Sequence, residues 1–120
     1  MKNNLIKEKS FSFAKRIVNM YKFLTEQKRE FVLSKQLLRS GTSIGANIHE
    51  AVQGQSKKDF IAKLCISLKE TSETEYWLLL LKETNYIDEK SFSSINDDCV
   101  ELLKLLTSII KTSRQNMSEE

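Results

Sequence analysis

The sequence predicts an all-α fold, an up-down antiparallel four-helix bundle built from one domain that spans residues 1–120. Proline is absent and glycine occurs only three times, so the residues that interrupt helices are almost missing. Apolar residues recur at intervals of three and four along four segments, which is the spacing of one helix face. The segments are joined by short connections, which make neighbouring helices antiparallel.

The first two helices are expected at about residues 10–27 and 33–53. In the first, apolar positions that include Phe13, Ile17 and Leu24 lie opposite a polar stripe. The charged string at residues 26–30 is interpreted as the connection. The second helix has its own apolar side, and Gly54 is typical of a residue that follows a helix C-terminus.

The last two helices are expected at about residues 56–83 and 88–114. Ser56, with Asp59 three residues on, has the spacing of a capping box and predicts where the third helix begins. Asp88 follows a short turn and is a candidate cap for the fourth helix. The polar tail after residue 114 is expected to fray.

Composition predicts a soluble cytoplasmic protein. Hydrophobic residues make up 40% and charged residues 29% of the chain, which excludes a disordered or membrane-embedded protein. The longest apolar stretch, Trp77–Leu81, is far shorter than the roughly 20 residues that span a bilayer, and no signal peptide is recognisable. Two cysteines, Cys65 and Cys99, form no disulfide framework and are expected to be reduced.

No catalytic residue, metal site or cofactor is predicted, and we expect a protein that is not an enzyme. His49 is the only histidine, whereas a di-iron bundle needs two Glu-x-x-His motifs. Cys65, Cys99 and His49 do not have the short spacing of zinc ligands. Both cysteines lie on apolar helix faces, where buried thiols are the ordinary interpretation.

The distribution of charge is the first functional signal. The net charge is +3, but residues 1–40 carry +7, residues 41–80 carry −1 and residues 81–120 carry −3. A basic first third indicates a polyanion or an acidic patch on a neighbouring subunit, although a solvated face remains the alternative. No helix-turn-helix, zinc-finger or RNP signature is present, so RNA or DNA binding would address backbone and shape. The candidate nucleic-acid-binding residues are Lys15, Arg16, Lys22, Lys28, Arg29, Lys35 and Arg39.

The segment 39–50 is the second signal, because it places several small residues in mid-helix. Small side chains let another backbone approach closely, at a cost in helix propensity. Polar residues of this segment share a face, and a matching set interrupts the apolar stripe of the third helix. We expect the two sets to form a hydrogen-bonded interhelical layer, the alternative being a polar groove or a subunit contact. Its predicted members are Ser40, Ser43, Asn47, Glu50, Thr71, Ser72 and Glu75.

Several motifs resemble those of a known family. They are Phe13-Ala-x-x-Ile17, Gln36-Leu-x-Arg39-Ser40-x-x-Ser43-Ile44-x-Ala46-Asn47-Ile48-x-Glu50-Ala51, Ser56-x-x-Asp59-Phe60 and Glu73-x-Glu75-x-Trp77-Leu78. This pattern, over about residues 10–110, resembles the bacterial four-helix-bundle proteins encoded in intervening sequences of 23S ribosomal RNA genes. It is also similar to the accessory variability proteins of diversity-generating retroelements. One departure is Ala51, where the family usually has glycine.

The resemblance implies an up-down bundle that assembles with itself into a homopentameric ring around a central channel. The retroelement relatives bind nucleic acid and a reverse transcriptase through basic surfaces, so the resemblance implies RNA, DNA or such an enzyme as partners. No catalytic activity is established for the intervening-sequence members. The leading hypothesis is therefore a non-enzymatic oligomer that binds nucleic acid through helices one and two. The alternative is a protein-interaction scaffold without nucleic-acid binding.

Overall fold

The computed structural model describes the backbone of residues 2–119 and the side chains of residues 3–117. The described chain contains no strand, and its helices are α1 (Lys2–Glu26), α2 (Leu33–Val52), α3 (Lys57–Glu83) and α4 (Glu89–Glu119). Each helix packs against the next, and α1 also contacts α4, so the four close into a bundle with extents of 52 × 22 × 21 Å. The predicted all-α four-helix bundle is confirmed.

The core lies along the bundle axis and receives large side chains from every helix. Their helical spacing gives each helix one apolar face, and burial of such a side chain contributes about 1.5–3 kcal/mol. The fully buried side chains are Ile6, Phe13, Ile17, Leu24, Leu37, Ile44, Ile48, Leu64, Leu78, Leu81, Ile95 and Leu102. None of the described helices is both long enough and apolar enough to cross a membrane.

Helix α1 begins at Lys2, eight residues before the expected start at Ser10. The reason is Ile6, which is 2% exposed and extends the buried face of α1 by one more heptad below Phe13. Ser10 is fully buried in mid-helix, where its hydroxyl donates to the Lys7 carbonyl at 3.0 Å. Packing against the bundle therefore makes a helix of a stretch whose local sequence is mostly polar.

Glu30 caps the start of α2, a role that the sequence did not reveal. One carboxylate oxygen accepts from the backbone N–H groups of Val32 at 3.1 Å and Leu33 at 2.9 Å, and the other from Ser34 at 2.7 Å. The Ser34 hydroxyl donates to the Glu30 carbonyl at 2.7 Å. Arg29 has a positive φ of 54°, which turns the chain so that Glu30 faces the helix N-terminus.

These hydrogen bonds change the titration of Glu30. Burial raises the pKa of its carboxyl group, but the N–H groups of Leu33, Ser34 and Val32 outweigh burial and hold the pKa below its ordinary value of 4.5. The carboxylate is therefore part of the fold at neutral pH.

The other helix ends follow local signals. Ser56 accepts from the Asp59 N–H at 3.1 Å and caps α3, and Asp88 accepts from the Ser91 N–H at 2.7 Å and caps α4. Helix α2 ends at Val52, and a Cβ atom on Gly54 would lie 2.9 Å from the Ala51 carbonyl oxygen, which explains glycine there. Helix α4 runs to Glu119, five residues past the expected end at 114.

Candidate nucleic-acid interface

Five of the seven candidate basic residues are exposed on one part of the bundle. They lie on α1, on the α1–α2 connection and in the first turn of α2, and none forms an ion pair with another side chain among residues 3–117. We call them the basic patch: Lys15, Lys22, Lys28, Arg29 and Lys35. Lys15 and Lys22 are two turns apart on α1, about 10 Å along its axis. These side chains are available to an external anion.

Arg16 differs from the basic patch because its guanidinium has partners within the bundle, and its role in nucleic-acid binding stays a prediction. Its guanidinium lies 2.7 Å from a carboxylate oxygen of Asp98 and donates to the carbonyl and hydroxyl oxygens of Ser94 at 3.1 and 2.9 Å. Both partners are on α4, about 80 residues along the chain. The charge of Arg16 is thus neutralised within the bundle and joins α1 to α4.

Arg39 is also paired internally, and its role in nucleic-acid binding likewise stays a prediction. It forms a charge-assisted hydrogen bond with Glu73 of α3 and lies 3.5 Å from a carboxylate oxygen of Glu70. The Trp77 indole N–H donates to Glu73 at 3.3 Å, which fixes that carboxylate. Arg39 therefore links α2 to α3 and offers little free charge to a ligand.

Aromatic rings accompany three members of the basic patch. In each pair the cationic group lies over the ring of an exposed phenylalanine at a distance typical of cation–π contacts. The pairs are Lys15 with Phe11 at 5.4 Å, Lys28 with Phe23 at 5.8 Å and Arg29 with Phe31 at 5.4 Å from the ring centroid. The patch thus combines positive charge with exposed flat apolar surface, which composition and charge alone did not show.

A groove of about 690 Å³ opens beside the basic patch, between the C-terminal half of α1 and the N-terminal part of α4. Its lining includes Met20 and Phe23 from α1, Ile95 from α4, and Lys28 and Lys90 from either side. Helices α1 and α4 pack less extensively than the other neighbouring pairs, which leaves this space between them.

A polar layer between α2 and α3 exists, and one of the predicted residues, Ser40, makes a hydrogen bond across it. The hydroxyls of Thr74 and Ser40 share a hydrogen bond at 2.9 Å, and the Thr74 hydroxyl also lies 2.7 Å from the Glu70 carbonyl within α3. The Ser67 hydroxyl donates to the Ile44 carbonyl at 2.9 Å. Thr71 is buried beside them and donates to the Ser67 carbonyl at 2.8 Å. Ser67 and Thr74, which the prediction missed, are fully buried and lie seven residues apart on the face of α3 toward α2.

Three α2 residues that were predicted for the layer do not join it. The Ser43 hydroxyl donates to the Arg39 carbonyl at 2.6 Å, and the Asn47 amide donates to the Ser43 carbonyl at 2.8 Å, both within α2. Glu50 is exposed and forms an ion pair with Lys63 at 2.9 Å. The prediction was wrong because Ser40, Ile44 and Ile48 form the buried face of α2. Ser43 and Asn47 lie half-buried at its edge and bond to their own helix, and Glu50 is exposed.

The α3 residues Ser72 and Glu75 are also outside the layer. Ser72 is exposed, because one residue along a helix turns the side chain by 100° away from buried Thr71. Glu75 is half-buried and lies close enough to Cys99 of α4 to influence its thiol. The side chain of Glu75 thus faces α4 rather than α2.

Small residues of α2 allow close packing with α1, as the sequence predicted. A Cβ atom on Gly45 would lie 3.4 Å from the backbone oxygen of Ser10, so the two backbones come near contact. At Gly41 the neighbour is a side chain, since a Cβ atom there would lie 2.7 Å from Cγ1 of Ile17.

The two cysteines are free thiols in different surroundings. Cys99 is buried, its thiol donates to the Thr71 carbonyl at 3.4 Å, and burial raises its pKa to about 12. Cys65 is half-buried with an Arg114 nitrogen 3.4 Å from its sulfur. Across residues 3–117, no three histidine, cysteine or acidic side chains come together in a way that would hold a metal ion.

Comparison with known proteins points to one family. Residues 2–108 match the family model for the 23S rRNA-intervening sequence protein. The chain is also similar to a protein of unknown function from the S23 ribosomal protein family of Bacteroides thetaiotaomicron VPI-5482, whose crystal structure has a resolution of 1.70 Å. The identity is 63% over 92% of this chain and 99% of that chain, with a TM-score of 0.91. No curated protein matches the chain.

Proposed function

The chain belongs to the 23S rRNA-intervening sequence protein family, as its motifs predicted, and we propose that it is a non-enzymatic protein that binds nucleic acid through the basic patch. The observation that carries the proposal is the set of five exposed cationic side chains that make no ion pair within the described part of the bundle. The other basic residues of the prediction, Arg16 and Arg39, have roles in holding the helices together.

Phosphate groups are the partners that best fit this patch. A lysine or arginine that contacts a phosphate releases a condensed counterion, and this release dominates the affinity of proteins for RNA and DNA. The patch offers several such contacts over two turns of α1 and the adjoining connection. It presents no helix of a known groove-reading motif, so the proposed binding reads backbone and shape.

Self-association would strengthen the binding. Five copies at +3 each would carry +15 as the ring that the family resemblance implies, and the summed field would attract a polyanion more strongly than one copy does. The family's name links it to ribosomal RNA genes, which makes a structured RNA the first ligand to test.

The experiment compares two pairs of lysine substitutions in electrophoretic mobility shifts. Lys15→Gln/Lys22→Gln removes two charges from the basic patch. Lys104→Gln/Lys111→Gln is the matched control, since these lysines are also exposed, on one helix and seven residues apart. A ribosomal RNA hairpin and a DNA duplex serve as probes over a range of salt concentrations.

We expect the patch variant to bind nucleic acid more weakly than the parent, with an affinity that depends less steeply on salt concentration. Each lost phosphate contact lowers the slope of log K against log salt by about 0.7–0.9, so two contacts lower it by roughly 1.4–1.8. The control should keep the parental slope. If the parent shifts neither probe at low salt, the proposed function is wrong.

A second candidate is a protein-interaction scaffold, favoured by exposed apolar side chains such as Val32, Tyr76 and Leu79. In that case the basic patch would serve contacts between subunits. Size-exclusion chromatography with light scattering on the Lys15→Gln/Lys22→Gln variant separates the two functions. A smaller oligomer with nucleic-acid binding intact favours the scaffold, and an unchanged oligomer with weakened binding favours the leading proposal.

A further inference from the structure

We propose that the groove between α1 and α4 seats an unpaired base of a single-stranded nucleic acid, with its flanking phosphates on Lys28 and Lys90. This inference rests on the proposed function, which it deepens by naming a binding mode and a preference for unpaired strands. It adds a part of the surface that the basic residues of helices one and two did not include.

The groove exists because the seam between α1 and α4 is closed at one end only. Lys9 and Glu101 form an ion pair at 3.0 Å, and Arg16 and Asp98 form another at 2.7 Å, so charged contacts join the helices up to Arg16. Beyond Arg16 the seam opens toward the α3–α4 connection. The volume of about 690 Å³ lies within the range of small-molecule sites and exceeds what one base needs.

The apolar side of the groove offers a stacking surface. Phe23 is 39% exposed, and its ring lines the groove beside Met20, with buried Ile87 and Ile95 opposite. A base has an apolar face that stacks on an aromatic ring whatever its sequence. The Lys28 ammonium lies over the Phe23 ring, 5.8 Å from its centroid, so a base that stacks on this face takes the place of the lysine, which then turns to a flanking phosphate.

The polar side of the groove suits the edges of a base. Asn19 and Asn85 line it with exposed side-chain amides, and neither amide makes a hydrogen bond within residues 3–117. Each amide has both donors and an acceptor, which is what the hydrogen-bonding edge of a base requires. An apolar peptide helix would leave these amides without partners, so the lining favours a nucleotide over a protein segment.

The charges at the rim leave two lysines for phosphates. Lys28 and Lys90 form no ion pair within the described bundle. Arg16 is paired with Asp98. The Asp88 carboxylate accepts the Ser91 N–H at the cap of α4, and it also attracts Lys90 and Lys28 without direct contact, so a phosphate would compete with one carboxylate for these two lysines. Lys28 also belongs to the basic patch, so the patch and the groove share this lysine.

The test measures fluorescence anisotropy with two labelled RNA probes, a single strand of about 12 nucleotides without secondary structure and a hairpin duplex of similar charge. The main variant is Phe23→Ala. Phe11→Ala is the matched control, because Phe11 is also an exposed phenylalanine of α1 with a lysine over its ring, but it lies outside the groove. Circular dichroism confirms that each variant is folded.

We expect Phe23→Ala to weaken binding of the single strand at least fivefold, since a stacked base contributes about 1–3 kcal/mol by alanine substitution. Binding of the hairpin should change less than twofold, and Phe11→Ala, which alters the basic patch but not the groove, should affect the two probes alike. Asn19→Ala, which raises helix propensity at an exposed position and so preserves the fold, should also weaken the single strand selectively.

The failure of this inference is distinguishable from that of the proposed function. If the parent binds both probes equally, and Phe23→Ala changes neither affinity, the groove does not seat a base although the basic patch still binds nucleic acid. If the parent binds neither probe at low salt, both proposals fall. An acidic peptide that displaces neither probe yet binds the groove would likewise overturn the inference.

Discussion

Gly41→Ala tests the close packing of α1 against α2. In a helix, glycine to alanine normally stabilises by up to about 1 kcal/mol, because alanine has the better helix propensity. At Gly41, however, the added Cβ atom would lie 2.7 and 2.8 Å from Cγ1 and Cγ2 of Ile17. Ile17 is fully buried, and two of the three atoms in contact, Cγ1 and Cγ2, are attached to its stiff β-branched carbon, so they move less readily than the end of a flexible side chain. We therefore expect the substitution to destabilise the bundle.

The magnitude follows from two opposing effects. Extra bulk in a packed core costs about 1–3 kcal/mol, and the 2.7 Å approach places Gly41→Ala in the upper half of that range. After the helix-propensity gain, a net loss of about 1–2 kcal/mol remains, which lowers Tm by roughly 3–10 °C for a chain of this size. Gly45→Ala is the control, since its Cβ atom would be 3.4 Å from Ser10 and should stabilise by up to about 1 kcal/mol.

The assay is urea unfolding followed by circular dichroism and by the fluorescence of Trp77, at one fixed protein concentration because association would raise apparent stability. A double-mutant cycle adds a stricter test. Ile17→Ala alone should cost about 2–5 kcal/mol, and in that background Gly41→Ala should stabilise, because the clash is gone. If Gly41→Ala and Gly45→Ala stabilise the parent equally, the packing argument is wrong.

Three further predictions concern the cap, the polar layer and the thiols. Glu30→Gln should cost about 1–3 kcal/mol at neutral pH, since a carboxylate that accepts backbone N–H groups is lost. The pKa of Glu30 is lowered in the folded state, so the carboxylate stabilises the fold at pH values above 4.5, and this stabilisation declines as the pH falls below that value. Urea melts of the parent and the variant should therefore converge as the pH is lowered from neutral to acidic. Thr74→Val should lower the free energy of unfolding by about 1 kcal/mol, because it removes the hydroxyl that is hydrogen-bonded to Ser40. A urea melt equal to that of the parent would show that this bond does not stabilise the fold. Iodoacetamide near pH 8 should alkylate Cys65 first and Cys99 only in denaturant, because burial holds the Cys99 pKa at about 12; equal labelling of the folded protein, measured by mass spectrometry, would contradict this.

Helix ends that depend on neighbouring residues were predicted correctly from the sequence. Helix ends that depend on packing against other helices were not. Ser56 and Asp88 are short-range caps whose function depends on neighbouring residues only, and both were predicted. The extension of α1 depends on Ile6, one apolar residue in a polar stretch, whose burial is decided by the other three helices. In the sequence, Glu30 is one of several charged residues in a row, and nothing distinguishes it as a cap. Its position at the start of α2 depends on the positive φ of Arg29, which the sequence does not indicate.

The residue types of the candidate site were predicted from the sequence, but their contacts with other helices were not. The residue types of the basic patch were visible in the sequence, but the partners of Arg16 and Arg39 lie 82 and 34 residues away, on helices whose rotation the sequence does not fix. The polar layer shows how small an error in the predicted rotation of a helix misplaces a side chain. Thr71 is buried and Ser72 is exposed, so an error of one residue in helix phase exchanges a core side chain for a surface one.

The hydroxyl contacts between α2 and α3 define how far along each other the two helices lie. Packing of apolar side chains alone specifies this position less strictly. Ser67 and Thr74 are two turns apart on α3, and their hydrogen-bond partners Ile44 and Ser40 are about one turn apart on α2. A shift of α3 by one turn, about 5.4 Å, would take the Ser67 hydroxyl away from its acceptor in a dry interior and would break the contact between Thr74 and Ser40, although Thr74 would keep its bond to the Glu70 carbonyl. The layer therefore favours the observed alignment of α2 and α3 over one that is displaced by a turn.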